Sequence, residues 1–270
     1  FSVSMMSAIR GKPEITMGNT VGSILCDDGL ALALCGILST GVVVVIPSVL
    51  YTAGIFLLGT GVATFLFVAF DHTLSGGEGA MLLAAFCCYL LLLFRQHRSG
   101  RFRKEVEAEA AAFATNRPVS RLLLLFALAL AGILVASEFI VTSAVTIAAA
   151  LGWPESVIAL SLVAFGTSIP EVATCVAAAR RGEGALAVGN VLGADILNLC
   201  WIAGASSLAN DLVLTPRVIQ FMFPAMLIMV IVSLGMLRAG FRLTRRKGVV
   251  LLCLYIAYLV ALFLHFPPEL

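Results

Sequence analysis

The chain has 270 residues, of which 61% are hydrophobic and 12% are charged, and its formal net charge is +2. An ordinary soluble domain is about half apolar and about one quarter charged, so the composition excludes a soluble fold, and the small net charge argues against nucleic acid as a partner. Apolar runs long enough to cross about 30 Å of hydrocarbon recur along the chain, without the alternation that barrel strands require. The sequence therefore predicts an all-α integral membrane protein embedded in a lipid bilayer.

About nine spans are predicted, each bounded by turn residues or charges. In chain order they are Phe1–Ile9 (the end of a helix), Gly18–Thr40, Pro47–Phe70, Gly79–Phe94, Leu122–Leu151, Glu155–Ala179, Ala185–Ala209, Pro216–Leu237 and Gly248–Phe263. A re-entrant or broken stretch is predicted as an option near Gly41–Pro47. The long polar segment Arg95–Arg121 is predicted to hold a short amphipathic helix or solvated connector at Glu105–Ala114.

Basic residues concentrate in three loops that alternating spans place on one side of the membrane. These fourteen of the 17 lysine and arginine residues are Arg95, Arg98, Arg101, Arg103, Lys104, Arg117, Arg121, Arg180, Arg181, Arg238, Arg242, Arg245, Arg246 and Lys247. Only Arg10, Lys12 and Arg217 fall on the other side. The positive-inside rule makes the richer side cytoplasmic, which predicts a cytoplasmic 95–121 loop in a multi-pass protein of the plasma (inner) membrane.

The chain repeats itself with an offset of 171 residues in its early spans and 169 in its later ones. The 171-residue offset superposes Ala8, Arg10, Gly11, Gly18, Asn19 and Gly22 on Ala179, Arg181, Gly182, Gly189, Asn190 and Gly193. Five spans separate equivalent positions, and because five is odd, the two copies have opposite orientations in the membrane. Inverted repeats of this kind are a signature of secondary transporters. The predicted division is a first half at 1–94, a linker at 95–121 and a second half at 122–270.

Five carboxylates fall inside predicted spans, where a charge costs at least about 2.5–3.5 kcal/mol on insertion scales. They are Asp27, Asp28, Glu138, Glu171 and Asp195. An isolated buried acid is as easily explained by a protonated carboxyl bonded between helices as by an ion ligand. Glu171, however, ends the run Gly166–Glu171, in which Pro170 loosens the helix and Thr167 and Ser168 add hydroxyl oxygens. Hard cations such as Ca²⁺ take six to eight oxygen ligands of these kinds.

The run Gly166-Thr-Ser-Ile-Pro-Glu171, followed by Gly189-Asn-Val-Leu-Gly-Ala-Asp-Ile-Leu-Asn198, resembles the second α-repeat of the sodium/calcium exchanger family in the cation/calcium exchanger superfamily. The run Gly18-Asn-Thr-Val-Gly-Ser-Ile-Leu-Cys-Asp27 resembles the rear half of the first α-repeat. The resemblance implies a ten-helix inverted-repeat exchanger, of which this chain holds about nine helices. It also implies that the chain, which opens at Phe1, starts inside the helix that carries the first Gly-Thr-Ser-x-Pro-Glu segment.

The resemblance implies a set of cation ligands between the two repeats. These are Ser23 and Asp27 from the first repeat and the Ala164 carbonyl, Thr167, Ser168, Glu171 and Asn198 from the second. Ala194 stands where the family has a serine, so one hydroxyl ligand for Na⁺ is expected to be missing. Asn19, Asn190, Asp195, Asp28 and Glu138 are predicted as supporting residues around these ligands, and Glu138 is explained equally well by a hydrogen bond between helices.

The function that the resemblance implies is antiport of Ca²⁺ against Na⁺ by alternating access. The residues leave two alternatives open, an exchanger coupled to H⁺ and, with less support, a cation channel. No Ser/His, Cys/His or His-x-x-x-His grouping lies within the predicted spans, so enzymatic activity is not expected. No cofactor is expected, and Ca²⁺ with Na⁺ or H⁺ would be transported partners; the sequence does not indicate the oligomeric state.

Overall fold

The computed structural model describes residues 1–96 and 119–268. The predicted surface helix Glu105–Ala114 and most of the predicted 95–121 linker lie outside the described residues. The division into halves at this linker therefore stays a prediction.

Nine helices follow one another in the described ranges, and the described loops between them hold four two-residue strands. The helices are α1 (Ser2–Ile9), α2 (Pro13–Leu38), α3 (Pro47–Asp71), α4 (Gly76–Gln96), α5 (Val119–Leu151), α6 (Glu155–Arg180), α7 (Gly184–Ala209), α8 (Pro216–Arg238) and α9 (Arg245–His265). The strands are β1 (Val43–Val44), β2 (Thr73–Leu74), β3 (Leu212–Val213) and β4 (Arg242–Leu243). Seven of these helices are long and apolar enough to cross a bilayer, which confirms the all-α membrane architecture.

Several helices begin earlier than their apolar runs do. The helix predicted from Gly18 begins at Pro13, because proline has no N–H to satisfy and its fixed φ suits the first turn of a helix. Pro47 and Pro216 begin α3 and α8 in the same way. The re-entrant or broken stretch predicted as an option near Gly41–Pro47 is wrong, since this segment is an extended loop that contains β1.

The strands show the inverted repeat directly. β1 pairs with β4 and β2 pairs with β3, all antiparallel, and the 169-residue offset converts one pair into the other. The flanking backbone bonds obey the same rule: the Val45 N–H donates to the Phe241 carbonyl at 3.0 Å, and the Leu214 N–H donates to the His72 carbonyl at 2.8 Å. Each strand thus pairs with the other copy's strand, and equivalent loops lie at opposite ends of the bundle. The inverted orientation of the two copies is confirmed.

Three π-helical turns interrupt the central helices, at Asp27–Ala31 in α2, Ala159–Val163 in α6 and Leu197–Ala203 in α7. The turns in α2 and α7 start within one residue of equivalent positions of the two copies. The helix was predicted to loosen at Pro170, yet α6 is helical through that residue, and its irregularity is the π turn about two to three turns earlier. A π turn lengthens the backbone hydrogen bonds from i+4 to i+5 and is found often at functional sites.

Helix α2 lies at the centre of the molecule. Of the most apolar 18-residue stretch of each helix, 78% is buried in α2, compared with 17% in α4 and 28% in α9. The first part of α2, Pro13–Cys26, packs on α1 and α6. Its π turn contacts α6, α8 and α9, and its last turns, Leu32–Leu38, pack on α9. The polar residues of α2 are therefore enclosed by helices from both copies.

Candidate functional site

Two glycines let α2 and α6 approach each other closely at the centre of the bundle. A Cβ atom on Gly18 would lie 2.7 Å from the Ala159 Cβ, and one on Gly22 would lie 2.6 Å from the Ala164 Cβ and 2.8 Å from the Leu160 carbonyl oxygen. These distances are far inside the 3.5–4.0 Å of an ordinary carbon contact. Only glycine at positions 18 and 22 therefore allows the π turn of α6 to pack this closely against α2.

A network of hydroxyl and amide groups joins the two helices at this contact. The Thr167 hydroxyl lies 2.9 Å from the Asn19 Oδ1, 3.1 Å from the Ala164 carbonyl and 3.3 Å from the Ser23 hydroxyl. Asn19 in turn donates through Nδ2 to the Ser4 hydroxyl at 2.9 Å. The structure thus brings together Ser23, Ala164 and Thr167, which were predicted as ligands, and Asn19 on α2 bonds to Thr167.

Two carboxylates flank this network without a basic partner among the described residues. Asp27 opens the π turn of α2 and is 1% exposed, and neither of its carboxylate oxygens has a hydrogen-bond partner in the described structure. Glu171 on α6 is half-buried, and its Oε2 likewise has none. The π turn that Asp27 opens packs against the part of α6 that carries Glu171. Ser168, also on α6, is buried, so acidic and hydroxyl groups from both copies occupy one region.

Two further acids, Asp28 and Asp195, are fully buried next to this region. Asp28 accepts a hydrogen bond of 2.9 Å from the Ser233 hydroxyl of α8 through its Oδ2. Neither oxygen of Asp195 has a partner among the described residues, and the helix that carries it packs against the π turn of α2. Both residues were predicted as supporting residues around the ligands, and both are completely buried.

The second copy's side of the site is more open than the first. Asn198, equivalent to Asp27, follows the first residue of the π turn in α7 and is half-buried. A groove of about 540 Å³ runs between α6 and α7 and is lined by Pro170, Glu171, Thr174, Gly189, Asn190, Gly193, Ala194 and Leu197. Asn190 is exposed there, 3.5 Å from the Thr174 hydroxyl. Glu171 thus connects the polar network to an open surface.

Glu138 lies elsewhere. It forms an ion pair with Arg10, which follows α1, and Thr142 on its own helix also contacts it at 3.5 Å. Glu138 is thus tied to the turn after α1 and is not among the residues that meet at the α2–α6 contact. A second ion pair, Lys12 with Glu155 at 2.7 Å, lies close by at the same end of the bundle.

Two residues near the site were missed by the sequence analysis. Ser233 bonds Asp28, and the Tyr258 hydroxyl donates to the Leu160 carbonyl in the π turn of α6 at 3.1 Å. Ser233 had a detectable signal, because the 169-residue offset places it on Thr64, another buried hydroxyl in an apolar helix. Tyr258 had no such signal, because a tyrosine inside a predicted span is usually interpreted as a packing residue.

The site can bind a cation only with mixed oxygen ligands. No three histidine, cysteine, aspartate or glutamate side chains converge at metal-binding distance anywhere in residues 1–96 and 119–268. Hydroxyl, amide and carbonyl oxygens would have to complete the coordination. Ca²⁺ and other hard cations prefer oxygen ligands of these kinds. A zinc site would need cysteine or histidine ligands, and the proposed ligand set contains neither.

Several known proteins are similar to this chain in sequence and in fold. The sodium/calcium exchanger MaX1 of Methanosarcina acetivorans is 38% identical over 136 residues, which are 50% of this chain and 39% of MaX1. The chain thus matches about two fifths of that relative's length. The membrane protein MJ0091 of Methanocaldococcus jannaschii is 31% identical over 250 residues, covering 93% of this chain and 77% of MJ0091.

Solved structures agree with these sequence matches. The sodium-calcium exchanger NCX_Mj, soaked with 2.5 mM Na⁺ and 0.1 mM Ca²⁺, superposes with a TM-score of 0.67 at 28% identity, over 96% of this chain and 80% of that one. The family profile described as sodium/calcium exchanger protein matches residues 1–95 and 121–264, and this match includes both copies of the repeat. The chain belongs to the sodium/calcium exchanger family.

Proposed function

We propose that the chain is a secondary antiporter that moves Ca²⁺ across the membrane in exchange for Na⁺ by alternating access. The observation that carries this proposal is the meeting of α2 and α6, where Asn19, Ser23 and Thr167 form one network beside the unpartnered carboxylate of Asp27. MaX1 and NCX_Mj, which resemble this chain, are sodium/calcium exchangers by name. Membership of the family further supports transport rather than enzymatic activity.

In this proposal each ligand has a defined task. Asp27 and Glu171 supply the negative charge that attracts and neutralises a divalent ion. The hydroxyl groups of Ser23, Thr167 and Ser168 replace the water that the ion loses, together with the Ala164 carbonyl. Asn198 supplies an uncharged amide oxygen from α7. Because Ala194 has no hydroxyl at the position equivalent to Ser23, α7 supplies one ligand fewer than α2.

Exchange, rather than leak, follows from the charge of the empty site. Buried carboxylates without a counter-charge are strongly disfavoured, so a transporter without cargo would cross its midpoint rarely. Ca²⁺ neutralises the acids in one direction, and Na⁺ ions that use overlapping oxygens neutralise them in the other. Because the oxygens are shared, the two cargoes compete, and this competition couples their movements.

Transport by purified protein in liposomes tests the proposal. An outward Na⁺ gradient should drive ⁴⁵Ca²⁺ uptake, whereas a pH gradient of the same size should not. Uptake driven by the pH gradient alone would favour proton coupling, and flux that needs no ion on the opposite side would favour a channel.

The matched variants are Glu171→Gln and Glu183→Gln. Glu171→Gln keeps the side chain's size and removes its charge, so Na⁺-driven uptake should collapse while the protein still purifies as a folded species. Glu183 is exposed in the turn before α7, and its variant should transport as the unmodified protein does. Normal uptake by Glu171→Gln would remove Glu171 from the site.

A further inference from the structure

The pair Asp28 and Asp195 is not accounted for by the ligand set proposed above. Asp28 follows a proposed ligand in α2, and Asp195 lies three residues before Asn198 in α7. Both side chains have 0% exposure. The π turn of α2 packs against α7, and of the acids that act on Asp195, Asp28 has the largest electrostatic effect. Two fully buried acids from opposite copies of the repeat thus lie on helical segments that pack against each other in the core.

This pair has too few protein partners to be stable as two bare carboxylates. Of its four carboxylate oxygens, only the Asp28 Oδ2 has a hydrogen bond, from Ser233. The ion pairs found within the described ranges are Arg10 with Glu138 and Lys12 with Glu155, both at one end of the bundle. Burying an ionised carboxylate without a partner is among the most expensive arrangements in a protein interior.

A neutral carboxyl bonded between helices is the simplest alternative, and the geometry of Asp195 argues against it. A protonated carboxyl donates its O–H, so one of its oxygens should lie within hydrogen-bond distance of an acceptor. Neither Asp195 oxygen has such a neighbour among the described residues. The two oxygens of Asp195 are therefore not engaged as donors and are available as cation ligands, as is the Asp28 Oδ1.

We propose that Asp28, Asp195 and Ser233 form a second cation-binding site, selective for a monovalent alkali ion. Three free carboxylate oxygens and one hydroxyl give four ligands, fewer than the six to eight that Ca²⁺ takes. One monovalent ion would halve the uncompensated charge of the pair. The proposal rests on the antiport proposed above and adds to it a site behind the Ca²⁺ ligands, towards α8.

The position of the second site gives it a role in coupling. Asp28 adjoins Asp27, so a cation held by Asp28 and Asp195 repels an ion at the neighbouring Ca²⁺ site. Monovalent binding at the second site should then weaken Ca²⁺ binding, and Ca²⁺ should weaken monovalent binding by the same factor, because coupling between two sites is reciprocal.

Equilibrium binding of ²²Na⁺ to the purified full chain, with choline as the inert replacement ion, tests the site. Asp195→Asn and Asp28→Asn should each weaken one class of bound Na⁺ by about ten- to a hundredfold, the range expected when a charged partner is removed. Ser233→Ala should do so more weakly. Asp71→Asn, at the exposed end of α3, is the matched control and should bind Na⁺ normally. Repeating the titration with K⁺ as competitor decides which alkali ion the site prefers.

The outcomes separate this inference from the antiport proposal. Asp195→Asn should keep its ⁴⁵Ca²⁺ binding within about tenfold of the unmodified protein, whereas Glu171→Gln should lose it. Unchanged Na⁺ binding in folded Asp195→Asn, Asp28→Asn and Ser233→Ala would overturn the second site and leave the antiport proposal standing. Normal Ca²⁺ transport by Glu171→Gln would instead overturn the first proposal, whatever the Na⁺ titration gives. Na⁺ binding that depends on pH but is equal in all variants would also refute the second site.

Discussion

Gly22→Ala is the most direct test of how the two copies are joined. The new methyl carbon would lie 2.6 Å from the Ala164 Cβ and 2.8 Å from the Leu160 carbonyl oxygen, so α2 and α6 must separate locally by about 1 Å to restore ordinary contact. Overpacking of this kind costs about 1–3 kcal/mol, and the better helix propensity of alanine returns about 0.5–1 kcal/mol. We expect a net loss of about 1–2 kcal/mol in the free energy of unfolding.

The same displacement should reach the site. The Ser23 and Thr167 hydroxyls are 3.3 Å apart, near the limit of a hydrogen bond, and an added ångström would separate them. Gly22→Ala should therefore lower ⁴⁵Ca²⁺ uptake in liposomes together with the midpoint of thermal unfolding in detergent. Gly59→Ala is the control, because its new methyl has nothing within 4 Å and tests helix propensity alone. The reasoning fails if the two variants unfold at the same temperature and transport equally.

Two further predictions concern the orientation and charge of the repeat. Single cysteines placed in the 71–78 loop and in the 95–121 loop should be labelled from opposite sides of the membrane, and labelling from one side would contradict the inverted topology. Asp27→Asn should weaken Ca²⁺ uptake strongly, and adding Asn198→Asp should recover a measurable part of it, because the equivalent position then supplies the lost charge. Uptake by Asp27→Asn equal to that of the unmodified protein would show that Asp27 is not a ligand.

Much of the fold could be predicted from the sequence because a bilayer leaves few choices. Backbone groups in hydrocarbon must bond within a helix or a closed barrel, so the apolar runs alone indicated nine helices. The 171-residue offset indicated their inverted arrangement. Helix starts were less accurate, since Pro13 and Arg245 begin helices in polar segments that hydropathy does not recognise.

The details of the site were predicted less completely, for a physical reason. Sequence spacing places residues on one face of one helix but does not report which helix that face meets. The motif indicated Thr167 and Glu171, yet the bond from Thr167 to Asn19 and the one from Ser233 to Asp28 join residues 148 and 205 positions apart. The π turns were also missed, because a single extra residue in a helix leaves no distinct pattern of hydrophobicity.

The strand pairs limit how this molecule can change conformation. Each pair joins the loop of one copy to the loop of the other, one pair at each end of the bundle. Side chains add a second, equivalent tie at each end: the Ser39 hydroxyl donates to the Ala179 carbonyl at 3.3 Å, and the Asn210 amide donates to the Ala8 carbonyl at 3.1 Å. Moving the two copies apart as rigid bodies would break all four connections at once. In the antiport proposed above, a cycle that preserves these connections would move helices outside this framework. Helix α5 is one such helix, because its described contacts are with α1 and the first turns of α6.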